Sequence, residues 1–322
     1  MKNRPKPKRK WTLKDVHEHL DYAVNLEMWT IPYYMTVMYS IKDPSEPAFR
    51  LIQSIVYQEM LHAELAANVY NSFQPARPLQ LGPFHYTKEG GVPHLDFELD
   101  PAAVAKYGEP DARLGGLDYP RIGTMCLIEL PESEPPPLNQ DAEEYATIGD
   151  FYTALRYGMQ QHAKAVRGNN AQVDYFKNFY GNLTQSTVTA DGHDGLNQAL
   201  ELIEVITEQG EGRCKADQDI PLAYQNTADG YNSSWSHFLK FNAIRDGLLT
   251  GRVPDTYHAD PAKRDTEPQQ VLVRNFGELI KAIEARFSGS QVPDFGAVMP
   301  TVGASILTCW RRGVVPQFSL TQ

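Results

Sequence analysis

Residues 52–68 read IQSIVYQEMLHAELAAN. At about 100° per residue, Ile52, Ile55, Val56, Ala63 and Ala66 share one side of a helix, with Glu59 in their middle. An ionised carboxylate so placed costs on the order of several kcal/mol unless a cation or a hydrogen-bond donor meets it. His62 follows one turn later on the same side. A Glu-x-x-His pair on an apolar stripe therefore offers a carboxylate and an imidazole to a single metal ion. As a bare pattern it is common; the flanking stripe is what removes the reading of two solvated residues. Glu64 falls about 140° from Glu59 and reads as solvent-facing.

Residues 12–40 repeat the arrangement. Thr12 and Asp15 have capping-box spacing. Leu20, Ile31, Tyr34 and Met38 lie within about 40° of Glu27, which makes Glu27 a second carboxylate central on an apolar face. Pro32 sits inside this helix and should kink it about a turn earlier. The turn Asp43-Pro-Ser-Glu-Pro is short, so helices over 12–40 and 46–73 are antiparallel neighbours.

Residues 75–140 hold much of the Pro and Gly and read as a long, irregular crossover, with short strands expected at Leu95-Asp-Phe-Glu-Leu and at Met125-Cys-Leu-Ile-Glu-Leu. Further helices are expected over 148–166, 195–211, 232–249 and 266–288, a loop with possible strand around Thr187-Val-Thr, and a Gly- and Pro-rich tail from 290. The organisation is a disordered basic tail (1–11), a metal-binding domain (12–250) and a C-terminal helical extension on the same domain (251–322). Two helices, a long crossover and two more helices give a mainly α fold with the connectivity of a ferritin-like bundle.

On the helix over 195–211, Glu211 and then Glu204 lie at the edge of the apolar face, whereas Glu201 and Glu208 suit a solvated acidic face. Asp150 points away from the apolar face of its helix. Its spacing from Thr147 fits a capping box, and its height, level with Glu211 if the helices are antiparallel, fits a ligand; both readings stay open. Tyr34 and Tyr157 lie on ligand-bearing faces, where they could donate hydrogen bonds or protons, or simply pack. His237 opens the helix near the Ser233-Ser234 cap.

The 322 residues carry a net charge of −10 and are 42% hydrophobic. That balance argues against nucleic acid as a partner, since phosphate binding needs a basic surface. The basic opening MKNRPKPKRK is read as a solubilising tail. No apolar run reaches the roughly 20 residues that span a bilayer, and no apolar region follows the basic start. Three dispersed cysteines form no disulfide framework, so a reducing cytoplasm is expected.

Five segments together resemble a known family. Asn25-Leu-Glu-Met-Trp-Thr-Ile-Pro-Tyr-Tyr-Met, Gln58-Glu-Met-Leu-His-Ala-Glu-Leu-Ala-Ala-Asn, Thr147-Ile-Gly-Asp-Phe-Tyr, Glu208-Gln-Gly-Glu-Gly and Ser236-His-Phe-Leu-Lys-Phe are similar, in order and spacing over 13–246, to motifs of the ferritin-like domain of iminophenyl-pyruvate dimer synthases of the violacein and rebeccamycin type. The resemblance implies an iron-type site, with one or two ions, and oxidative chemistry. It raises Glu211 and His237 to ligands beside Glu27, Glu59 and His62. Asp150 stands where that family has Glu, and Trp235 replaces part of an acidic-apolar pair. Those synthases are longer chains, so the coupling of indole-pyruvate imines does not carry over directly.

The resulting expectation is an oxidative metalloenzyme of secondary metabolism, using dioxygen on a small amino-acid-derived substrate, with the crossover as a lid. Mixed carboxylate and imidazole ligands suit iron or manganese; haem is not excluded. The alternatives are an iron-oxidising or iron-binding protein, and a non-catalytic binding protein with a relic site. A homo-oligomer is left open.

Overall fold

The computed structural model describes residues 5–88, 92, 101–131, 145, 148–176, 183–210, 219, 222–225, 232–260, 262–263 and 266–319. Among these the fold is helical, and pairing between extended segments is confined to two isolated bridges, Ile41 with Thr256 and Asp260 with Val314.

Helix α1 (Leu13–Ser40) starts as its sequence dictates. The Thr12 side chain accepts from the Asp15 N–H, and Asp15 accepts from the Thr12 N–H at 2.8 Å, a complete capping box. The helix continues through Pro32. Helix α2 (Pro47–Ser72) begins with proline at N1, where the missing N–H costs nothing, and lies along α1. Helices α5 (Ile148–Gln161) and α6 (Gly192–Gly210) close the bundle: α1 packs on α5, α5 on α6 and α6 on α2.

The crossover contributes α3 (Pro101–Tyr107) and α4 (Tyr119–Ile128). Here the sequence expectation fails. Met125–Ile128 is the last turn of a helix, because the Asp118 side chain caps its N-terminus by accepting from Arg121 N–H and Pro120 favours the first turn. Residues 95–99 lie outside the described residues, and Thr187–Thr189 is not a strand. The third bundle helix ends at Gln161, before 166, and passes into a short 3-10 turn.

Helix α7 (His237–Leu249) starts later than expected, capped by Ser236 in place of Ser233 or Ser234, and it packs on α2, α4 and α6. Helices α8 (Glu267–Phe287) and α9 (Phe295–Arg311) form a hairpin against the outer sides of α2 and α1. The sequence hid α9, since its first half contains Gly296, Pro300 and Gly303. Gly303 is needed where it stands: a Cβ there would lie 2.4 Å from the Tyr39 hydroxyl of α1. Trp310 then ties α9 down by donating to the Thr36 carbonyl at 3.0 Å. At the other end, Trp11 is buried against Gly158 and His19, so the packed chain begins inside the expected tail.

This arrangement buries most of α1 and α2, including the Glu64 side of α2. Glu64 is therefore fully buried, not solvent-facing. Its carboxylate accepts from the backbone N–H groups of Tyr175 at 2.9 Å and Phe176 at 3.3 Å. Among the described residues no helix is long and apolar enough to cross a membrane.

Candidate metal centre

Glu27, Glu59 and His62 converge between α1 and α2, as their helix positions require. His62 Nδ1 lies 3.5 Å from a Glu27 oxygen and 3.9 Å from Glu59 Oε1. His237, the first residue of α7, enters from the side, with Nδ1 2.9 Å from the same Glu59 oxygen. All four side chains are buried. The potential ligand atoms of Glu59, His62 and His237 fall within 4.8 Å of one another. The two imidazoles stack with centroids 5.3 Å apart.

A further carboxylate joins them. Glu129 follows the last turn of α4, its Oε2 is 3.5 Å from His237 Nδ1, and its other oxygen accepts from the Tyr34 hydroxyl at 2.6 Å. Sequence reasoning missed it by taking 125–130 for a strand. The available signal was a carboxylate closing the apolar run Met125–Ile128.

The surrounding groups orient the cluster. His62 Nε2 lies 2.9 Å from Gln209 Oε1, while the Gln209 amide nitrogen donates to the Tyr224 carbonyl. Because Nε2 must donate to an amide oxygen, His62 Nδ1 is left with its lone pair facing the carboxylates. Thr30 donates to Glu59 at 2.5 Å, and Tyr152 donates to Glu27. Gly210 keeps the space open, since a Cβ there would sit 3.2 Å from Glu129 Oε2.

The charges are unequal. Burial, together with the adjacent Glu129 charge, holds the Glu59 carboxyl well above its usual range. Burial also opposes ionisation of Glu129, but His237 and the Tyr34 hydroxyl outweigh it and hold that carboxyl below the usual range. Burial and Glu129 push the Tyr34 hydroxyl up, so it stays a donor.

Among the described residues the protein's own groups leave this site unsatisfied. Neither His237 ring nitrogen has a hydrogen-bond partner among them, although Nδ1 is 2.9 Å from Glu59 Oε1. Neutral imidazole carries one lone pair, and Nδ1, which faces Glu59 and Glu129, is the nitrogen placed to share a third centre with them. Glu27, Glu59, Thr30, His62 and Glu129 border a cavity of about 20 Å³. That is room for an ion or a water molecule. Oxygen and imidazole donors without a thiolate fit iron or manganese.

The other candidates separate. Asp150 is half-buried in the first turn of α5, where its charge acts on Tyr145; it is not one of the residues whose ligand atoms converge. Glu204 faces Arg156 at 3.7 Å. Glu211 lies outside the described residues. Tyr157 is 41% exposed, which corrects its placement on a ligand-bearing face. The apolar face of α5 turns inward instead, so Tyr152 reaches the cluster.

The ferritin-like family model matches residues 20–246. A crystal structure of a ferritin-like protein from Caulobacter vibrioides is similar at 38% identity and a TM-score of 0.80, covering 97% of this chain and 100% of that one. No curated protein matches the chain. With four helices closing around a buried carboxylate and histidine cluster, and with that match over most of its length, the chain belongs to the ferritin-like family.

Proposed function

We propose that the cluster holds one or two iron ions, with manganese as the substitute, and that the protein is an oxidative enzyme acting with dioxygen on a small, amino-acid-derived organic molecule. The observation that carries this reading is His237 Nδ1, buried against the Glu59 and Glu129 carboxylates with no hydrogen-bond partner among the described residues. When bound, iron would supply one-electron redox chemistry and an open position for dioxygen.

The chain's own groups have definable parts. Glu27, Glu59, Glu129, His62 Nδ1 and His237 would hold the metal. Gln209, Tyr152, Thr30 and Tyr34 fix the ligand atoms by hydrogen bonds, the outer layer that orients metal ligands. Tyr34 keeps its proton on the oxygen that faces Glu129, which places a hydroxyl donor at the edge of the site. Ile128, Ile148 and Ile206 wall the cavity and exclude bulk water. The substrate class we assign is a small amino-acid-derived molecule, within secondary metabolism and a cytoplasmic setting; the imines used by the synthases that the motifs resemble serve as the probe.

One observation favours a second reading, iron oxidation itself. A cavity of about 20 Å³ admits an ion but no organic substrate, so the first reading requires the crossover that carries Glu129 to move. Mixing metal-loaded protein with dioxygen, with and without the imine formed from indole-pyruvate and ammonia, separates the two. Substrate-dependent dioxygen uptake beyond the iron present supports the enzyme. Uptake limited by added ferrous iron, and indifferent to the imine, supports iron oxidation. Absence of stoichiometric metal overturns both.

A further inference from the structure

The outer sides of α1 and α2 border a second cavity of about 350 Å³, closed by α8, α9 and the segment 173–176. That volume is at the low end of small-molecule sites, about 300–1,000 Å³. Five of the chain's 8 methionines, Met28, Met35, Met38, Met60 and Met299, line it. Methionine-rich walls are polarisable and adapt to the shape of an apolar guest. Aromatic rings from Tyr175, Phe176 and Phe295 complete one side, and exposed Tyr57, Gly296 and Pro300 mark its mouth.

Glu64 is the single residue of a charged type among the described lining residues. Below it on α2, Asn68 and Asn71 clamp the same segment by bonding to Val173, Ser186 and Ala171 carbonyls. Glu64 could be the first rung of that clamp, but holding two N–H groups needs an acceptor, not a charge. The two N–H groups use one carboxylate oxygen each, Tyr175 on Oε2 and Phe176 on Oε1, and leave the charge itself unpaired among the described residues. Among the described residues no cation pairs with Glu64. Asp174 and Arg286 act on it from a distance with opposite sign, and burial holds its carboxyl at about 7 despite the two N–H bonds. Each carboxylate oxygen accepts one N–H and retains accepting capacity, and Glu64 lines the cavity.

We propose that this cavity binds a small apolar primary amine, with the hydrocarbon part among the methionines and the ammonium group on Glu64. The ammonium would donate to the carboxylate oxygens, and the nearby ring faces would favour a cation. The site is separate from the metal centre. The two cavities share no lining residue, Met60 and Glu64 falling about 100° and 140° around α2 from Glu59, and the proposal does not depend on metal.

Titration calorimetry on the full-length protein at pH 7.5 tests it with 2-phenylethylamine, ethylbenzene and phenylacetate as probes. We expect the amine to bind at least tenfold more tightly than ethylbenzene, and phenylacetate to bind most weakly. Glu64→Gln should erase the preference for the amine while ethylbenzene still binds and metal content is unchanged. Met299→Trp, on the half-buried face of α9, should fill the cavity and abolish binding of both. Equal affinity of wild-type protein for amine and hydrocarbon, or no binding of either, overturns the proposal whether or not the variants fold. So does a Glu64→Gln protein that keeps the preference, or a Met299→Trp protein that binds the amine as well as wild type.

Discussion

Two neighbouring faces of the same two helices do opposite things. On the inner face of α1 and α2, three carboxylates and His62 line a cavity of about 20 Å³, with His237 against Glu59 and Glu129. On the outer face, methionines and aromatic rings line about 350 Å³ with one carboxylate among them. The inner face has more charge than its own hydrogen bonds can satisfy, whereas the outer face has more space than its side chains fill. The first is a deficit of cation and the second a deficit of guest. Neither would be stable as an isolated surface, and both are tolerated because the surrounding helices cover most of α1 and α2.

The largest effect should come from removing the centre of the inner cluster. Glu59→Ala should lose stoichiometric iron or manganese and abolish any rise in Tm on adding ferrous iron. The metal-free protein should change little in stability, since burial and the Glu129 charge already disfavour an ionised Glu59 when no metal is bound. Paired thermal scans with and without metal check this; a variant that still gains stability from iron would break the contrast between the two faces.

His19 supplies a comparison from the end of the bundle, a buried polar group that protein atoms satisfy completely. Its Nδ1 must donate to the Asp15 carbonyl at 2.7 Å, so Nε2 accepts from the Tyr145 hydroxyl at 2.7 Å. Burial lowers its pKa to about 4, against 6.5 unperturbed. Because the folded state resists protonation, the contribution of His19 is complete above pH 6.5 and is lost as the pH falls towards 4. The loss amounts to about 3 kcal/mol at most. His19→Phe should flatten the stability profile across that window in urea titrations, and an unchanged slope would remove His19 as its source.

Smaller effects should follow from the groups that orient the cluster. Tyr152→Phe and Tyr34→Phe each take one hydrogen bond from a carboxylate, and metal affinity should fall roughly 10–100-fold, the usual consequence of losing an outer-layer partner. Competitive chelator titration measures it. Tyr157→Phe, at the surface, should change neither metal affinity nor stability beyond about 0.5 kcal/mol.

What could be read from the sequence was what repeats locally. Glu27, Glu59 and His62 stand out because an apolar stripe surrounds each within its own helix. The Thr12–Asp15 box gave the start of α1 for the same reason. His237 has no such stripe and was reached through resemblance to known motifs. Glu129 was hidden because its role depends on where the end of α4 meets α7, which no window around 125–130 contains. Glu64 misled for a related reason: period 3.6 identifies the more apolar face of α2 but cannot show that α8 and α9 cover the other one. The Gln209-Gly210 pair becomes intelligible only in three dimensions, one residue turning His62 and the other leaving room for Glu129.

The central claim is that one buried cluster on the inner face binds metal. Anomalous diffraction from crystals soaked in ferrous iron or manganese tests it most directly. The account predicts ordered metal, one ion or two, within bonding distance of Glu59, His62 Nδ1 and His237, with Glu27 and Glu129 as further ligands. A loaded crystal with no anomalous peak at that position, or with its metal bound elsewhere on the chain, would contradict it.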